Sequence, residues 1–239
     1  MHLIGKPEKN FYEQHIKRML DFIMALAALV ILTPVLLLLT AAGTVAMHGN
    51  PFFSQPRPGK GGRIFYMVKF RTMSNAKDGL GNLLPDDKRL NKYGKFLRST
   101  SLDELPELWN IVKGELSLVG PRPQLTRDMV FMNAEQMRRY EVRQGLTGLA
   151  QVNGRNNLLW EEKLEWDLKY IDSGITFKND LKIILKTISK VFSRADIATE
   201  GMETAEDFGD YLLRMGKVEK ETYDRLQQEA KKILEAECR

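Results

Sequence analysis

The side chains with the clearest chemical potential lie in one string, Arg98-Ser-Thr-Ser-Leu-Asp103-Glu104-Leu-Pro106-Glu107-Leu-Trp109-Asn110. Adjacent carboxylates at a helix start, preceded by an arginine, can serve as a nucleophile and its neighbour on a phosphate. The same residues also read as helix punctuation. Acids in a first turn complement the macrodipole, and Ser101-x-x-Glu104 has the spacing of a capping box. Pro106 limits that box, because proline is cheap only in a first turn, where its amide hydrogen would have no partner. The expected N-cap therefore moves to Asp103. Local pattern leaves both readings open.

A second string, Gly120-Pro121-Arg122-Pro123, offers a guanidinium from a stiff loop. Two prolines fix their own φ, and Pro123 pushes Arg122 toward an extended backbone. A planar fork suits phosphate or carboxylate, although a purely structural turn is the commoner use of such a loop. Gly145-Leu-Thr-Gly148-Leu-Ala-Gln-Val-Asn-Gly154-Arg155-Asn156 can bring backbone amides close to an anion, but it is neither a Rossmann nor a Walker fingerprint. Other chemistries lack their residues. The single cysteine, Cys238, excludes an internal disulfide, and His2, His15 and His48 are too far apart for a zinc spacing.

These strings must be carried by a chain of 239 residues with 28% charged side chains and a net charge of +5, ordinary values for a folded domain. One block is not ordinary. Phe22 to Ala46, FIMALAALVILTPVLLLLTAAGTVA, holds 25 residues without a charge. A hydrocarbon core of about 30 Å needs roughly 20 helical residues, so the block is long enough to cross a membrane. Pro34, after Thr33, sits near its middle. Lys6, Lys9, Lys17 and Arg18 precede it, and Arg57, Lys60, Arg63, Lys69 and Arg71 follow. Basic flanks favour the cytoplasm, and here both flanks claim it. A helix broken at Thr33-Pro34 that dips in and returns satisfies both; a kinked spanning helix is the competing form.

Beyond Met47 the pattern predicts one strand, Ile64–Phe70, a polar loop from Lys77 to Arg89, and helices over about 104–113, 125–142, 158–172 and 177–195. In the last, Phe177, Leu181, Ile184, Leu185, Ile188, Val191 and Phe192 share a face beside the basic stripe Lys178, Lys182, Lys186, Lys190 and Arg194. That describes either a domain helix with a solvated face or a basic amphipathic helix lying on anionic headgroups.

Taken together and in order, Gln55-Pro-Arg57-Pro-Gly59, Lys69-Phe-Arg71-Thr-Met73, Ser101-Leu-Asp103-Glu104-Leu-Pro106, Gly120-Pro-Arg122-Pro123 and Gly145-Leu-Thr-Gly-Leu-Ala-Gln-Val-Asn-Gly-Arg155 resemble the bacterial sugar transferases, the monotopic phosphoglycosyl transferases. The resemblance covers about residues 15 to 205. Through Asn153-Gly-Arg-Asn-Asn-Leu-Leu-Trp160-Glu it is nearest the small single-domain members that transfer phospho-diacetylbacillosamine. It implies transfer of a sugar 1-phosphate from a UDP-sugar to a polyprenyl phosphate such as undecaprenyl phosphate, releasing UMP. Asp103 corresponds to the attacking aspartate that becomes a covalent phosphosugar-enzyme, and Glu104 to its partner. Both correspond to ligands of the magnesium cofactor. Lys69, Arg98, Arg122 and Arg155 correspond to substrate-binding positions. The resemblance also implies a monotopic protein on the cytoplasmic face of the bacterial inner membrane, with membrane lipid and not nucleic acid as its surroundings.

The resulting expectation is a mostly α fold with minor β. A re-entrant membrane helix hairpin (1–47), broken at Thr33-Pro34, joins a small cytoplasmic α/β catalytic domain with interfacial amphipathic helices (48–208). A helical extension (209–239) follows, where Tyr223, Leu226, Ala230, Ile233 and Leu234 share a face. That face suits a partner, a second copy of the chain or packing back on the domain. The competing functional class is a membrane-tethered anion-binding or scaffold protein in which Asp103 and Glu104 only cap a helix.

Overall fold

The computed structural model describes residues 10–154, 158–193 and 206–237. A π-helical turn, Tyr12–Ile16, leads into α1, Lys17–Ala46. α1 is long and apolar enough to cross a membrane, and its most apolar stretch is largely exposed. Its helical backbone continues through Pro34, so the break expected at Thr33-Pro34 does not interrupt it. Proline removes one amide donor there, and the Thr33 hydroxyl donates to the Leu29 carbonyl at 2.7 Å.

Both ends of α1 are tied to one globular body. Near its start, the Arg18 guanidinium donates to the carbonyls of Ile111 (2.6 Å) and Val112 (2.8 Å). Buried Asp21 accepts from the Ser117 hydroxyl at 2.7 Å and the Leu118 amide at 3.1 Å. Toward its end, the Tyr93 hydroxyl donates to the Leu39 carbonyl at 2.8 Å and the Asn91 amide to the Ala46 carbonyl at 3.0 Å. Between these ends, Leu32 and Leu36 pack in the clusters that include Leu105.

β1 (Phe52–Pro58) and β2 (Ile64–Phe70) pair antiparallel, Phe52 facing Phe70 and Pro58 facing Ile64. Only β2 was legible from pattern. Pro56 and Pro58 make β1 look like a turn, yet a two-stranded sheet consists of edges, where a missing donor costs little. After α2 (Asp86–Arg89), Asn91 caps the unanticipated α3 (Lys92–Thr100) by accepting from the Gly94 amide at 2.9 Å. α4 (Glu107–Lys113) ends at Gly114, whose φ of 88° suits glycine. Asn110 clamps α4 onto the edge of β2, donating to the Tyr66 carbonyl at 2.8 Å and accepting from the Val68 amide at 3.1 Å.

β3 (Ser117–Val119) and β4 (Gly145–Thr147) form a short parallel pair. The long helix expected over 125–142 is instead α5 (Thr126–Met129), α6 (Ala134–Met137) and a 3₁₀ turn, Arg138–Glu141. The interruption has a local cause: Asn133 and Gln136 exchange side-chain and backbone hydrogen bonds in a capping box that starts a new helix. α7 (Leu149–Asn153), α8 (Trp160–Asp172) and α9 (Phe177–Ser193) follow. The expected end of α9 at Ala195 lies outside the described residues.

α9 turns Ile183 and Asp180 into the core but leaves Phe177, Leu181, Leu185 and Ile188 exposed. A domain helix with only its polar face in solvent would do the reverse. α10 (Phe208–Arg214) and α11 (Lys220–Glu237) pack back on the domain. Phe208 and Tyr211 enter the cluster of Met129, Met132, Tyr140, Trp160 and Leu164. Tyr223 lies 5.6 Å from the Phe131 ring, centroid to centroid.

Candidate active site

The acidic pair sits in a 3₁₀ turn, Leu102–Glu104, between α3 and α4. Ser101 ends α3 with a left-handed backbone, φ 56°, an uncommon conformation for a side-chain-bearing residue. The capping reading does not survive this geometry. The Glu104 amide donates to the Ser101 carbonyl at 3.3 Å, so the expected side-chain box is absent. The N-cap position of α4 is Pro106, with no side-chain cap, rather than Asp103. The carboxylates are not spent on helix ends.

Glu104 is instead held by cations from two other elements. Lys69, near the end of β2, places its ammonium 2.9 Å from Glu104 Oε1 and 3.0 Å from Glu107 Oε1. The Arg122 guanidinium comes within 2.5 Å of the same Glu104 oxygen. Burial alone would raise the Glu104 pKa, but Arg122 and Lys69 together hold it well below the usual carboxylate range. Asp103 moves the other way, raised by burial and by the Glu104 charge. It accepts no hydrogen bond among the described residues. Two adjacent carboxylates are thus driven apart: Glu104 stays charged, and Asp103 is the more basic and the better electron-pair donor.

The Arg122 loop is fixed from behind. Buried Arg139 donates to the Arg122 carbonyl at 2.6 Å and pairs with Asp167 of α8 at 2.7 Å. Arg57 donates to the Pro123 carbonyl at 3.3 Å; burial, then the nearby Arg122 charge, lowers its pKa to about 10. The glycine-spaced segment packs against the same loop through Gly145 and Gly148. The Gly120 amide donates to the Thr147 carbonyl at 2.9 Å and the Gly145 amide to the Pro121 carbonyl at 2.8 Å. A Cβ on Gly120 would stand 2.4 Å from the Arg143 carbonyl oxygen, and one on Gly148 would stand 2.2 Å from the Gly120 carbonyl oxygen. Glycine is needed here because backbone meets backbone.

Of the expected site residues, Asp103, Glu104, Lys69 and Arg122 come together. Arg98 donates to the Thr72 hydroxyl at 3.0 Å, and its charge acts to lower the Asp103 pKa. Arg155 lies outside the described residues. Glu107, Arg139 and Asp167 were missed. Glu107 carried a signal, since a residue three positions after Glu104 lies on the same side of a helical turn. The Arg139–Asp167 pair, 28 residues apart, carried none.

No cluster of three or more acidic, histidine or cysteine side chains able to hold a metal occurs among the described residues. The pair still fits a magnesium ion, which uses one or two carboxylates and takes its remaining ligands from water and substrate phosphates. Asp103 and Glu104 are the residues that would hold it.

Comparison with known proteins adds an independent line. The model of the family described as bacterial sugar transferase matches residues 12–194. The uncharacterized sugar transferase EpsL of Bacillus subtilis is 46% identical over 194 residues, 81% of this chain and 95% of EpsL. The galactosyl transferase CpsE of Streptococcus agalactiae is 40% identical over 190 residues, 73% of this chain but 42% of CpsE. A UDP-glucose:undecaprenyl-phosphate glucose-1-phosphate transferase of Caulobacter vibrioides is 37% identical over 187 residues, 74% of this chain and 70% of that protein. The chain therefore spans less than half the length of CpsE and nearly all of EpsL. A match running from the turn before α1 to the end of α9, with relatives at this identity, makes the chain a member of the bacterial sugar transferase family.

Proposed function

We propose that this enzyme transfers a sugar 1-phosphate from a UDP-sugar to a polyprenyl phosphate, undecaprenyl phosphate being the acceptor named for the Caulobacter relative. The observation that carries the reading is the divided acidic pair: Asp103 without a hydrogen-bond partner among the described residues, beside Glu104 held ionised by Lys69 and Arg122. An Asp103 oxygen attacks the sugar-side phosphorus, the bond from that phosphorus to the bridging oxygen breaks, and UMP leaves with the electron pair. A phosphate oxygen of the lipid then attacks the same phosphorus and releases the Asp103 carboxylate. The product is a polyprenyl diphosphate sugar. Arg122 and Lys69 fix Glu104 and bring positive charge to the phosphates. A bound magnesium ion would neutralise diphosphate charge.

The resemblance to the diacetylbacillosamine-type enzymes favours an N-acetylated amino sugar in the donor, although the relatives above are named for galactose and glucose. The setting we propose is the cytoplasmic face of the inner membrane, entered from one side. Support comes from α1, whose start and end both bond to the same globular body, an arrangement closed to a helix whose ends lie on opposite sides of a bilayer. Support also comes from α9, whose outward apolar residues and Lys178, Lys182 and Lys186 suit a headgroup interface.

The test is a panel of UDP-sugars incubated with undecaprenyl phosphate and assayed for UMP. Intact mass after exposure to the active donor alone should increase by one phosphosugar. Asp103→Asn should show neither the increase nor turnover while unfolding like the wild type. Full turnover by the Asn variant would remove the nucleophile.

A further inference from the structure

Beside the acidic pair lies a cavity of about 270 Å³. Ser101, Glu104 and Arg122 line it together with Leu105, Leu108, Leu146 and Val152. Its wall also includes Met24 of α1 and Ile188 and Val191 of α9, which are 45%, 47% and 45% exposed. The cavity therefore joins the charged site to the two outward apolar helix faces. Of the polar side chains on its wall, Thr147 and Thr187 bond to one another at 2.6 Å, and the Thr187 hydroxyl also lies 2.8 Å from the Ile183 carbonyl.

We propose that this cavity receives the first isoprene units of the lipid acceptor, with the lipid phosphate at the Arg122 end. The inference rests on the transferase reading above and adds where the acceptor chain runs. Three features single out this occupant. The wall away from Ser101, Glu104 and Arg122 is mainly aliphatic, with Gln151 and Lys190 as its other polar side chains beside the paired threonines, and suits hydrocarbon better than a hydroxyl-rich sugar. The volume, about 270 Å³, lies at the lower edge of ordinary ligand pockets of about 300–1,000 Å³, so it fits the head of a long chain and leaves the rest outside. The lining continues into Met24, Ile188 and Val191, on the surfaces most suited to a bilayer, so the remaining chain can pass into lipid without crossing water. A donor nucleotide has no use for such an exit.

The experiment pairs wild-type crosslinking with one obstructing variant in the full-length chain. A polyprenyl phosphate carrying a diazirine in its first isoprene units is photolysed with the wild type in phospholipid nanodiscs, and the labelled peptides are mapped. Labels should fall at Leu146, Val152 and Ile188. Ile188→Trp, at a half-exposed position that tolerates bulk, should raise the lipid KM by about tenfold, a loss matching burial of one or two methylenes. The UDP-sugar KM should stay unchanged. Labels confined to outward residues such as Phe177, Leu181 and Val30 would overturn the proposal, as would an unchanged lipid KM. A raised donor KM with an unchanged lipid KM would give the cavity to the donor. If the wild type turns over no polyprenyl phosphate with any donor, the transferase reading falls and the acceptor channel with it.

Discussion

One ammonium joins two buried carboxylates, and Lys69→Met removes it while keeping much of the side chain's bulk. The Lys69 nitrogen lies 2.9 Å from Glu104 and 3.0 Å from Glu107, whose side chains are 14% and 2% exposed. In the variant Glu104 retains Arg122, whereas Glu107 loses the one cation described within ion-pair distance of it. Breaking one side of a buried pair costs about 3–5 kcal/mol. Glu107 recovers part of this by taking a proton, because burial already raises its pKa. The expected net loss is about 2–3 kcal/mol at neutral pH and grows as pH rises above the usual carboxylate range, since a raised acid pKa makes stability fall as pH rises. Glu107→Gln removes the stranded charge. The double variant should therefore be more stable than Lys69→Met by about 1–2 kcal/mol, beyond the roughly 0.5 kcal/mol scatter of independent sites. Unfolding in detergent by guanidinium, followed by tryptophan fluorescence, reads this cycle. Turnover should fall about 10- to 100-fold in both Lys69 variants, as Glu104 loses a charge-assisted bond of about 1.5–3 kcal/mol. Additive stabilities across the cycle would refute the shared-ammonium account.

Arg122→Lys should lose about tenfold or more in kcat/KM, because an ammonium lacks the planar fork; kinetics like the wild type would make Arg122 a turn residue only. Gly120→Ala should cost about 3 kcal/mol or more and lower the yield of folded enzyme, since its Cβ would stand 2.4 Å from the Arg143 carbonyl oxygen. Asp128 accepts from the Phe208 amide at 2.8 Å and the Leu125 amide at 3.0 Å, and burial raises its pKa to about 6. Unfolded chain ionises this acid first, so wild-type stability relative to Asp128→Asn should drop by up to about 3 kcal/mol between roughly pH 4 and pH 6, then level off. A cysteine at position 2 and native Cys238, both outside the described residues, should resist an impermeant maleimide in intact cells. Labelling of position 2 alone would mean that α1 spans.

The acidic pair, its arginine and the membrane-type helix were legible in the sequence because each is a run of neighbouring residues. An apolar block of 25, Gly-Pro-Arg-Pro and Asp103-Glu104 keep their meaning wherever the rest of the chain goes. The helices over 160–172 and 177–193 were legible for the same reason, since periodicity is local. Tertiary structure decided what these pieces touch. It took Asp103 and Glu104 away from helix capping and set them beside cations that arrive from β2 and from the loop after β3. It turned the apolar face of α9 outward, which no periodicity can choose, because periodicity says that a face exists and not what lies against it. It packed Gly145 and Gly148 against the backbone of Gly120, where a Cβ on Gly148 would stand 2.2 Å from the Gly120 carbonyl oxygen, a constraint between two strings 28 residues apart. It also set Arg139 against Asp167 beneath Arg122, a pairing of distant charges whose energy depends on burial, and burial exists only once the chain has folded.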